Sequence, residues 1–185
     1  TPKPSSAASD VYKRQTLGGV PHDRYGMTTQ SIREYVYGIL RKSELQEESI
    51  TKVQTGGPDG DLGSNEILLS KDKTVAVIDG SGVVHDPQGL DREELMRLAR
   101  ARKTVAHFDV SKLGKDGYLV LVEDRHLTLP SGEMVPDGLN FRNRAHLRFE
   151  ADLFVPCGGR PEAINIGNVH EMFDSEGKCL SLIHI

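Results

Sequence analysis

The amino-acid sequence predicts an α/β fold in which a parallel β-sheet is flanked by helices and carries an inserted β-hairpin. Three observations lead to this prediction. Short β-prone runs alternate with stretches of helical periodicity along the chain. A glycine-rich loop follows the first β-prone run and precedes a helix. The next run is almost wholly apolar, as expected for a strand that is covered on both faces.

The first predicted helix spans residues 30–42, QSIREYVYGILRK. Apolar side chains recur there at the spacing of one helix face: Ile32, Tyr35, Val36, Ile39 and Leu40. This spacing predicts an amphipathic helix with one buried face. A short β-prone run follows at residues 50–55 and stops at Gly56. A second helix is expected over residues 64–70, with three apolar residues turned inward: Ile67, Leu68 and Leu69.

The second strand is predicted at residues 74–79, TVAVID, because β-branched residues dominate this run. The next helix begins at Asp91, whose carboxylate can accept the free N–H groups of the first turn. Glu94 completes a pattern that resembles a capping box. The buried stripe of this helix is supplied by three residues: Leu95, Leu98 and Ala99.

A β-hairpin is predicted between residues 118 and 138, with its turn near residues 130–132, Pro-Ser-Gly. Residues 139–147 are expected to be helical, and a last short strand at residues 153–155 ends at Pro156. This alternation of strands and helices favours a parallel sheet, which makes the hairpin an insertion.

Composition narrows the class of protein. The chain has 185 residues, a formal charge of -4 and a pI of about 6.0, so no basic surface for nucleic acid is expected. No apolar stretch approaches the roughly 20 residues that span a bilayer, so no membrane partner is expected. The two cysteines form no disulfide framework and no zinc motif, and no metal site is expected. The lack of a disulfide framework indicates that the protein works in a reducing compartment, which we expect to be the cytoplasm or the mitochondrial matrix.

The glycine-rich loop lies in the stretch VQTGGPDGDLGSNEI, residues 53–67, with glycines at positions 57, 60 and 63. In a dinucleotide-binding loop, glycine permits a sharp turn, and the missing Cβ lets a diphosphate approach the backbone and the first N–H groups of the helix. Gly57 would serve the turn, Gly60 the pyrophosphate and Gly63 the contact between helix and strand. Two neighbouring aspartates, Asp59 and Asp61, would repel phosphate unless they turn outward or cap N–H groups. The alternative is a structural turn in which the aspartates cap the helix.

A dinucleotide site also needs an acidic residue at the end of the second strand, about 20 residues further on, to accept the adenosine ribose hydroxyls. Asp79 ends TVAVID at that distance from Gly60. A carboxylate there would accept both hydroxyls and repel a 2′-phosphate, which favours NAD over NADP. The alternative is that Asp79 only opens the DGSG turn, a common role of aspartate. The glycine loop and Asp79 together are compatible both with a dinucleotide site and with purely structural turns.

Four segments resemble the large NAD-specific glutamate dehydrogenases: residues 21–36, 55–67, 74–95 and 154–161. The resemblance covers most of residues 20–178, and TGGPDGDLGSNEI is specific to this branch of the family. It implies a Rossmann-like cofactor domain and the oxidative deamination of L-glutamate to 2-oxoglutarate and ammonia, with hydride transfer to NAD. It also implies a homo-oligomer when the protein is full length.

The resemblance assigns roles to particular residues. The pyrophosphate would be lined by the loop and the start of its helix: Gly57, Gly60, Asp61, Leu62 and Gly63. Asp79 would hold the adenosine ribose, and Thr28 would lie near the nicotinamide amide. Pro156, Cys157 and Gly158 would border the cofactor at the end of a strand. For the Cys157 thiol itself, a neutral side chain that lines the backbone is favoured over a reactive one.

We expect four parts of the chain: a non-native leader at residues 1–15, a lead-in segment with the amphipathic helix at 16–45, an NAD-binding domain at 46–178 that is incomplete at its C-terminus, and a non-native tail at 179–185. The leader and the tail look like translated sequencing adapters. No catalytic residue is assigned, because in the family the lysines that bind the substrate, and the lysine and aspartate that move protons, lie upstream in another domain. We therefore expect this polypeptide alone to show no dehydrogenase activity.

Two other functions stay open at this point. One is a nucleotide-binding regulatory module without catalysis. The other is a dehydrogenase of another amino acid, such as leucine, valine or phenylalanine, because the substrate is chosen outside these residues. A plain structural α/β domain is the remaining alternative.

Overall fold

The computed structural model describes residues 25–158 and 166–172. In this part of the chain the helices are α1 (Met27–Lys42), α2 (Asp61–Leu69), α3 (Arg92–Ala101) and α4 (Gly138–Arg144). The strands are β1 (Thr51–Thr55), β2 (Lys73–Ile78), β3 (Gly82–His85), β4 (Tyr118–Leu121), β5 (Arg125–Thr128), β6 (Met134–Asp137) and β7 (Leu153–Pro156). Short 3-10 turns lie at Glu47–Ser49, Val105–His107, Val110–Lys112, Ala145–Leu147 and Val169–Met172. The expected leader (1–15) and tail (179–185) lie outside the described residues.

The main sheet has five strands in the order β4-β3-β2-β1-β7. β1 pairs in parallel with β2 on one side and with β7 on the other. The α/β fold with a sheet and flanking helices is thereby confirmed. The sheet is mixed, however, because β3 and β4 are antiparallel. The link from β2 to β3 is a tight turn, whereas a parallel connection needs a crossover of a dozen or more residues.

The inserted hairpin is shorter than the sequence indicates. β5 and β6 pair with each other in a separate two-stranded sheet, and the turn between them contains Gly132 at a φ of +85°. The prediction that the hairpin begins at residue 118 is wrong, because residues 118–121 form β4 of the main sheet. Val120 there is fully buried, and this burial explains why the strand leaves the hairpin.

The helices cover the sheet from two sides. One apolar cluster joins Val53, Val83 and Val120 to Phe141 of α4. On the opposite face, Val77 and Val84 pack with α2 and α3, while Leu153 and Val155 pack with α1. The second face therefore carries α1, α2 and α3, and it places α2 directly over β1 and β2.

α1 buries a different stripe from the predicted one. Tyr35 was expected inside but is 70% exposed, and Arg33 is 1% exposed instead. Arg33 donates to Glu66 at 2.9 Å and also pairs with Glu47. Apolar periodicity identified the helix but not this face, because the burial of Arg33 depends on acidic partners from other elements.

Five charged residues form a buried ion cluster between α1, α2 and the sheet: Arg33, Glu47, Lys52, Glu66 and Asp72. The Lys52 ammonium lies 3.2 Å from Glu66 and 3.1 Å from Asp72. Burial alone would raise the pKa of Glu66, but Lys52 and Arg33 outweigh it and hold that pKa below its usual range. Burial opposes the charge on Lys52 as well, yet Asp72 and Glu66 raise its pKa. The Glu66 carboxylate and the Lys52 ammonium thus stay ionised at neutral pH.

The cluster generates a stability prediction. The change Arg33→Met leaves Glu47 and Glu66 short of a buried partner, which should cost about 3–5 kcal/mol of unfolding free energy. Urea denaturation measures the loss. The matched control is Arg144→Met, because Arg144 pairs with Glu171 at the surface and is 68% exposed, so its loss should stay below about 1 kcal/mol. Equal losses in the two variants would contradict this account of the cluster.

Candidate nucleotide-binding site

The candidate site lies where the parallel strands end. α2 connects β1 to β2, and β7 lies on the other side of β1. Because all three strands are parallel, the loop at residues 56–60 and the residues that follow β2 and β7 meet at one edge of the sheet. In open α/β sheets a crevice forms at such a point, where the connections diverge to opposite sides.

Gly56 brings the loop against the end of β7. Its φ is +90°, and a Cβ added to it would lie 2.4 Å from the carbonyl carbon of Cys157 and 2.5 Å from the nitrogen of Gly158. The Cys157 N–H donates to the carbonyl of Thr55 at 2.6 Å and draws the two strand ends together. No other residue type fits there without displacing backbone. The sequence prediction ended the strand at Gly56 but gave it no role, although the Gly-Gly pair was a signal.

Gly63 and Gly57 bring α2 against the loop. A Cβ on Gly63 would lie 2.2 Å from the Gly57 carbonyl oxygen and 2.6 Å from that of Gly56. Gly63 was expected to serve a close contact of the helix, and the structure places such a contact there, with the loop as the partner. A Cβ on Gly57 would lie 2.3 Å from Oδ2 of Asp79.

Gly60 differs from these glycines because space is open around it. It is the N-cap of α2, and a Cβ built there has its nearest neighbour at 3.6 Å. No side chain caps the helix at this end. The first N–H groups of a helix have no intrahelical acceptor and carry a partial positive charge. The N–H groups of Asp61, Leu62 and Gly63 therefore suit an anion that approaches over Gly60.

The two aspartates of the loop differ in their surroundings. The Asp61 carboxylate accepts a hydrogen bond from Arg102 at 2.7 Å, and its side chain is 56% exposed. Its charge is thus partly balanced and turned outward, as the phosphate hypothesis required. Asp59 is exposed, but its Oδ1 lies back over Gly57, 2.7 Å from a Cβ added there. The repulsion expected from Asp59 is therefore not removed by this arrangement.

Asp79 lies beside the loop, yet its carboxylate is largely occupied. Oδ1 accepts from the N–H and hydroxyl of Ser81 and from the Gly82 N–H, at 2.7, 2.7 and 3.2 Å. Oδ2 accepts from the Val105 N–H at 2.7 Å. Each carboxylate oxygen offers about two acceptor positions, so Oδ1, with three donors, is fully occupied, and Oδ2, with one, has room for one further donor. Asp79 does open the DGSG turn, and only Oδ2 faces the loop.

The remaining predicted residues lie at β7 and α1. Pro156 and Gly158 are half-buried, and Cys157 is 8% exposed. Burial raises the pKa of the Cys157 thiol well above its usual range, so this side chain is neutral and unreactive at physiological pH. Thr28 is exposed on the first turn of α1. Gly26, which precedes that turn, lies against the Asn65 side chain of α2.

The described part of the chain offers neither a cluster of metal ligands nor a membrane-spanning helix. In residues 25–158 and 166–172, no group of three or more histidine, cysteine or acidic side chains could hold a metal ion. Over the same ranges, no helix is both long enough and apolar enough to cross a bilayer.

The fold and the loop define an α/β domain in which a glycine-rich loop joins a parallel strand to the start of a helix. The sequence pattern of the Glutamate/Leucine/Phenylalanine/Valine dehydrogenase family matches residues 18–181. This chain belongs to that family, and the family resemblance of its sequence is confirmed.

Two curated relatives are similar to nearly the whole chain. A Schizosaccharomyces pombe protein named "Probable NAD-specific glutamate dehydrogenase" is 62% identical over 90% of this chain and 15% of the relative. The NAD-specific glutamate dehydrogenase of Neurospora crassa is 58% identical over 90% of this chain and 16% of the relative. The chain thus spans about one sixth of the length of these relatives. A solved glutamate dehydrogenase of Plasmodium falciparum aligns with 78% of this chain and 27% of that chain, at 14% identity and a TM-score of 0.48.

The glycine contacts predict opposite effects of one substitution in two helices. Alanine normally stabilises a helix relative to glycine by up to about 1 kcal/mol. Gly38→Ala in α1 should show this gain, because a Cβ there meets nothing within 4 Å. Gly63→Ala in α2 should instead cost about 1–3 kcal/mol, because its Cβ would overlap loop carbonyls. Thermal and urea unfolding of both variants measure the difference, and a stabilised Gly63→Ala variant would contradict the packing.

Proposed function

We propose that this chain is the NAD-binding portion of a glutamate dehydrogenase, which oxidatively deaminates L-glutamate to 2-oxoglutarate and ammonia. The observation that carries the proposal is the uncapped start of α2, open over Gly60 and bounded by close-packed glycines. Family membership and two relatives with NAD-specific names support NAD as the cofactor and glutamate as the substrate.

The residues present fit the proposed cofactor. The N–H groups of Asp61, Leu62 and Gly63 would bind the diphosphate, and Gly60 would allow it to approach. Asp79 would accept one ribose hydroxyl through Oδ2, which is a weaker interaction than the acceptance of both hydroxyls that the sequence predicts. Pro156, Cys157 and Gly158 would border the cofactor from the end of β7, and Thr28 would lie towards the nicotinamide. When it is bound, NAD is the group that would accept the hydride.

These residues bind and orient; none is proposed to move a proton. The charge on Asp61 matters here, because its pairing with Arg102 reduces the repulsion of a diphosphate. The buried, neutral Cys157 thiol adds no negative charge to the edge of the sheet. The neutral thiol and the bare helix start favour an anion at this edge, with Asp59 as the opposing charge.

Several parts of the proposal concern the whole protein. We propose that it forms a homo-oligomer and acts in the cytoplasm or the mitochondrial matrix. A leucine, valine or phenylalanine dehydrogenase is the second candidate, because the matched family includes enzymes with those names. Assay of the full-length protein with the four amino acids separates the candidates.

Titration of the purified chain with NADH, followed by fluorescence, tests the cofactor site. Gly60→Ala should weaken NADH binding tenfold to a hundredfold, because a methyl group would block charge-assisted hydrogen bonds worth about 1.5–3 kcal/mol. Gly38→Ala is the matched control and should bind NADH like the wild type. NADPH should bind the wild-type chain more weakly than NADH. The absence of NADH binding, or equal binding by the Gly60→Ala variant, would remove Gly60 from the site.

A further inference from the structure

Gln54 is a polar residue in the core beside the glycine loop. It lies next to the end of β1, is fully buried and faces α2. Its side-chain nitrogen donates to the Gly56 carbonyl at 2.9 Å and to the Gly63 carbonyl at 3.1 Å. These carbonyls belong to the beginning of the loop and to the first turn of α2. The Gln54 side chain therefore joins the beginning of the loop to the first turn of α2.

The chemistry of the two acceptors determines the orientation of the amide. Both partners are carbonyl oxygens, so only the NH₂ group of Gln54 can face them, and its two hydrogens serve two acceptors. The amide oxygen is then buried without a protein partner among the described residues. An unpaired buried acceptor reduces stability. An apolar residue of the same length would avoid that loss but would also remove the donor that the Gly56 and Gly63 carbonyls share.

α2 is held to β1 at its other end by different contacts. The Lys52 ammonium donates to Ser70 Oγ at 2.8 Å and pairs with Glu66 at 3.2 Å. Both contacts lie towards the C-terminal end of the helix, away from the glycine loop. The position of the helix as a whole thus depends on the ion cluster, whereas Gln54 acts on its first turn.

The geometry points to Gln54 as a positioning residue of the nucleotide loop. By holding the Gly56 and Gly63 carbonyls to one amide, it sets the distance between the loop and the first turn of α2. That distance aims the N–H groups of residues 61–63 at the place where the diphosphate is proposed to bind. This inference rests on the proposed function, and it adds a residue that does not itself touch the cofactor.

The test compares Gln54→Met with Ser70→Ala in the 185-residue chain. Methionine keeps the length of the side chain, removes both donors and removes the unpaired oxygen, so the unfolding temperature should change by less than about 5 °C. NADH affinity should nevertheless fall about tenfold, because the loop is no longer preorganised. Ser70→Ala, at the far end of the same helix, should lower the unfolding temperature and leave NADH affinity unchanged.

Amide hydrogen exchange gives a readout that does not require the cofactor. In Gln54→Met, exchange at residues 60–64 should accelerate while exchange in α3 stays as in the wild type. If the methionine variant does not fold, Gln54→Glu replaces it, since a carboxyl group keeps the shape and, protonated in this buried position, can donate to only one of the two carbonyls.

The outcomes separate the inference from the proposed function. Wild-type affinity together with unchanged exchange in a folded Gln54 variant overturns the role of Gln54. Faster exchange at residues 60–64 together with weaker NADH binding supports it. If the wild-type chain itself binds no NADH, the proposed function fails, while faster exchange would still support Gln54 as the residue that holds the loop.

Discussion

The close approach of α2 to the end of β1 is the constraint on which the carboxyl edge of the sheet depends. Gly63 lies so near the Gly56 and Gly57 carbonyls that a single methyl group would force them apart. Gly56 in turn lies against the Cys157–Gly158 peptide. Two parallel strands, a loop and a helix thus meet with their backbones in close contact. The start of α2 is left uncapped and open to solvent beside this contact. A side chain larger than glycine at Gly56 or Gly63 would push the loop and the helix apart.

Polar and charged residues replace apolar packing between β1 and its helices. Lys52 and Gln54 are both fully buried and face α2, while Val53 between them faces the opposite cluster. Directional hydrogen bonds define one position of a helix more sharply than apolar contact does. A nine-residue helix with a small apolar face benefits from such contacts, because its first turn has to hold a fixed direction.

Asp79 shows how one residue can serve the fold and the proposed site together. The sequence offered two interpretations, a ribose-binding acid or a turn residue. Oδ1 accepts the hydrogen bonds that hold the turn, whereas Oδ2 lies beside Gly57 and keeps room for a further donor. The cofactor selection proposed for this acid and the stability of the β2–β3 turn are therefore coupled. Membership of the dehydrogenase family agrees with the nucleotide site proposed at this edge.

Local signals in the sequence determined much of the fold. The β-branched run at β2, the glycine loop, the Asp91 cap and the short strand before Cys157 each depend on residues close together in the chain. The cap is confirmed by the bond from the Glu94 N–H to Asp91 at 2.7 Å. The antiparallel direction of β3 was not predicted, although the shortness of its turn implied it.

Only the tertiary structure decided which polar groups are buried and what they hold. Arg33 replaces Tyr35 inside because Glu47 and Glu66, distant in the sequence, supply its partners. Gly56 and Gln54 gained their roles from neighbours on β7 and α2. The sequence by itself determined the order of the elements and the place of the loop, since propensity and periodicity are local. The interior polar contacts could not be read from it, because burying a charge or an amide is favourable only when a partner from another element lies within hydrogen-bonding distance.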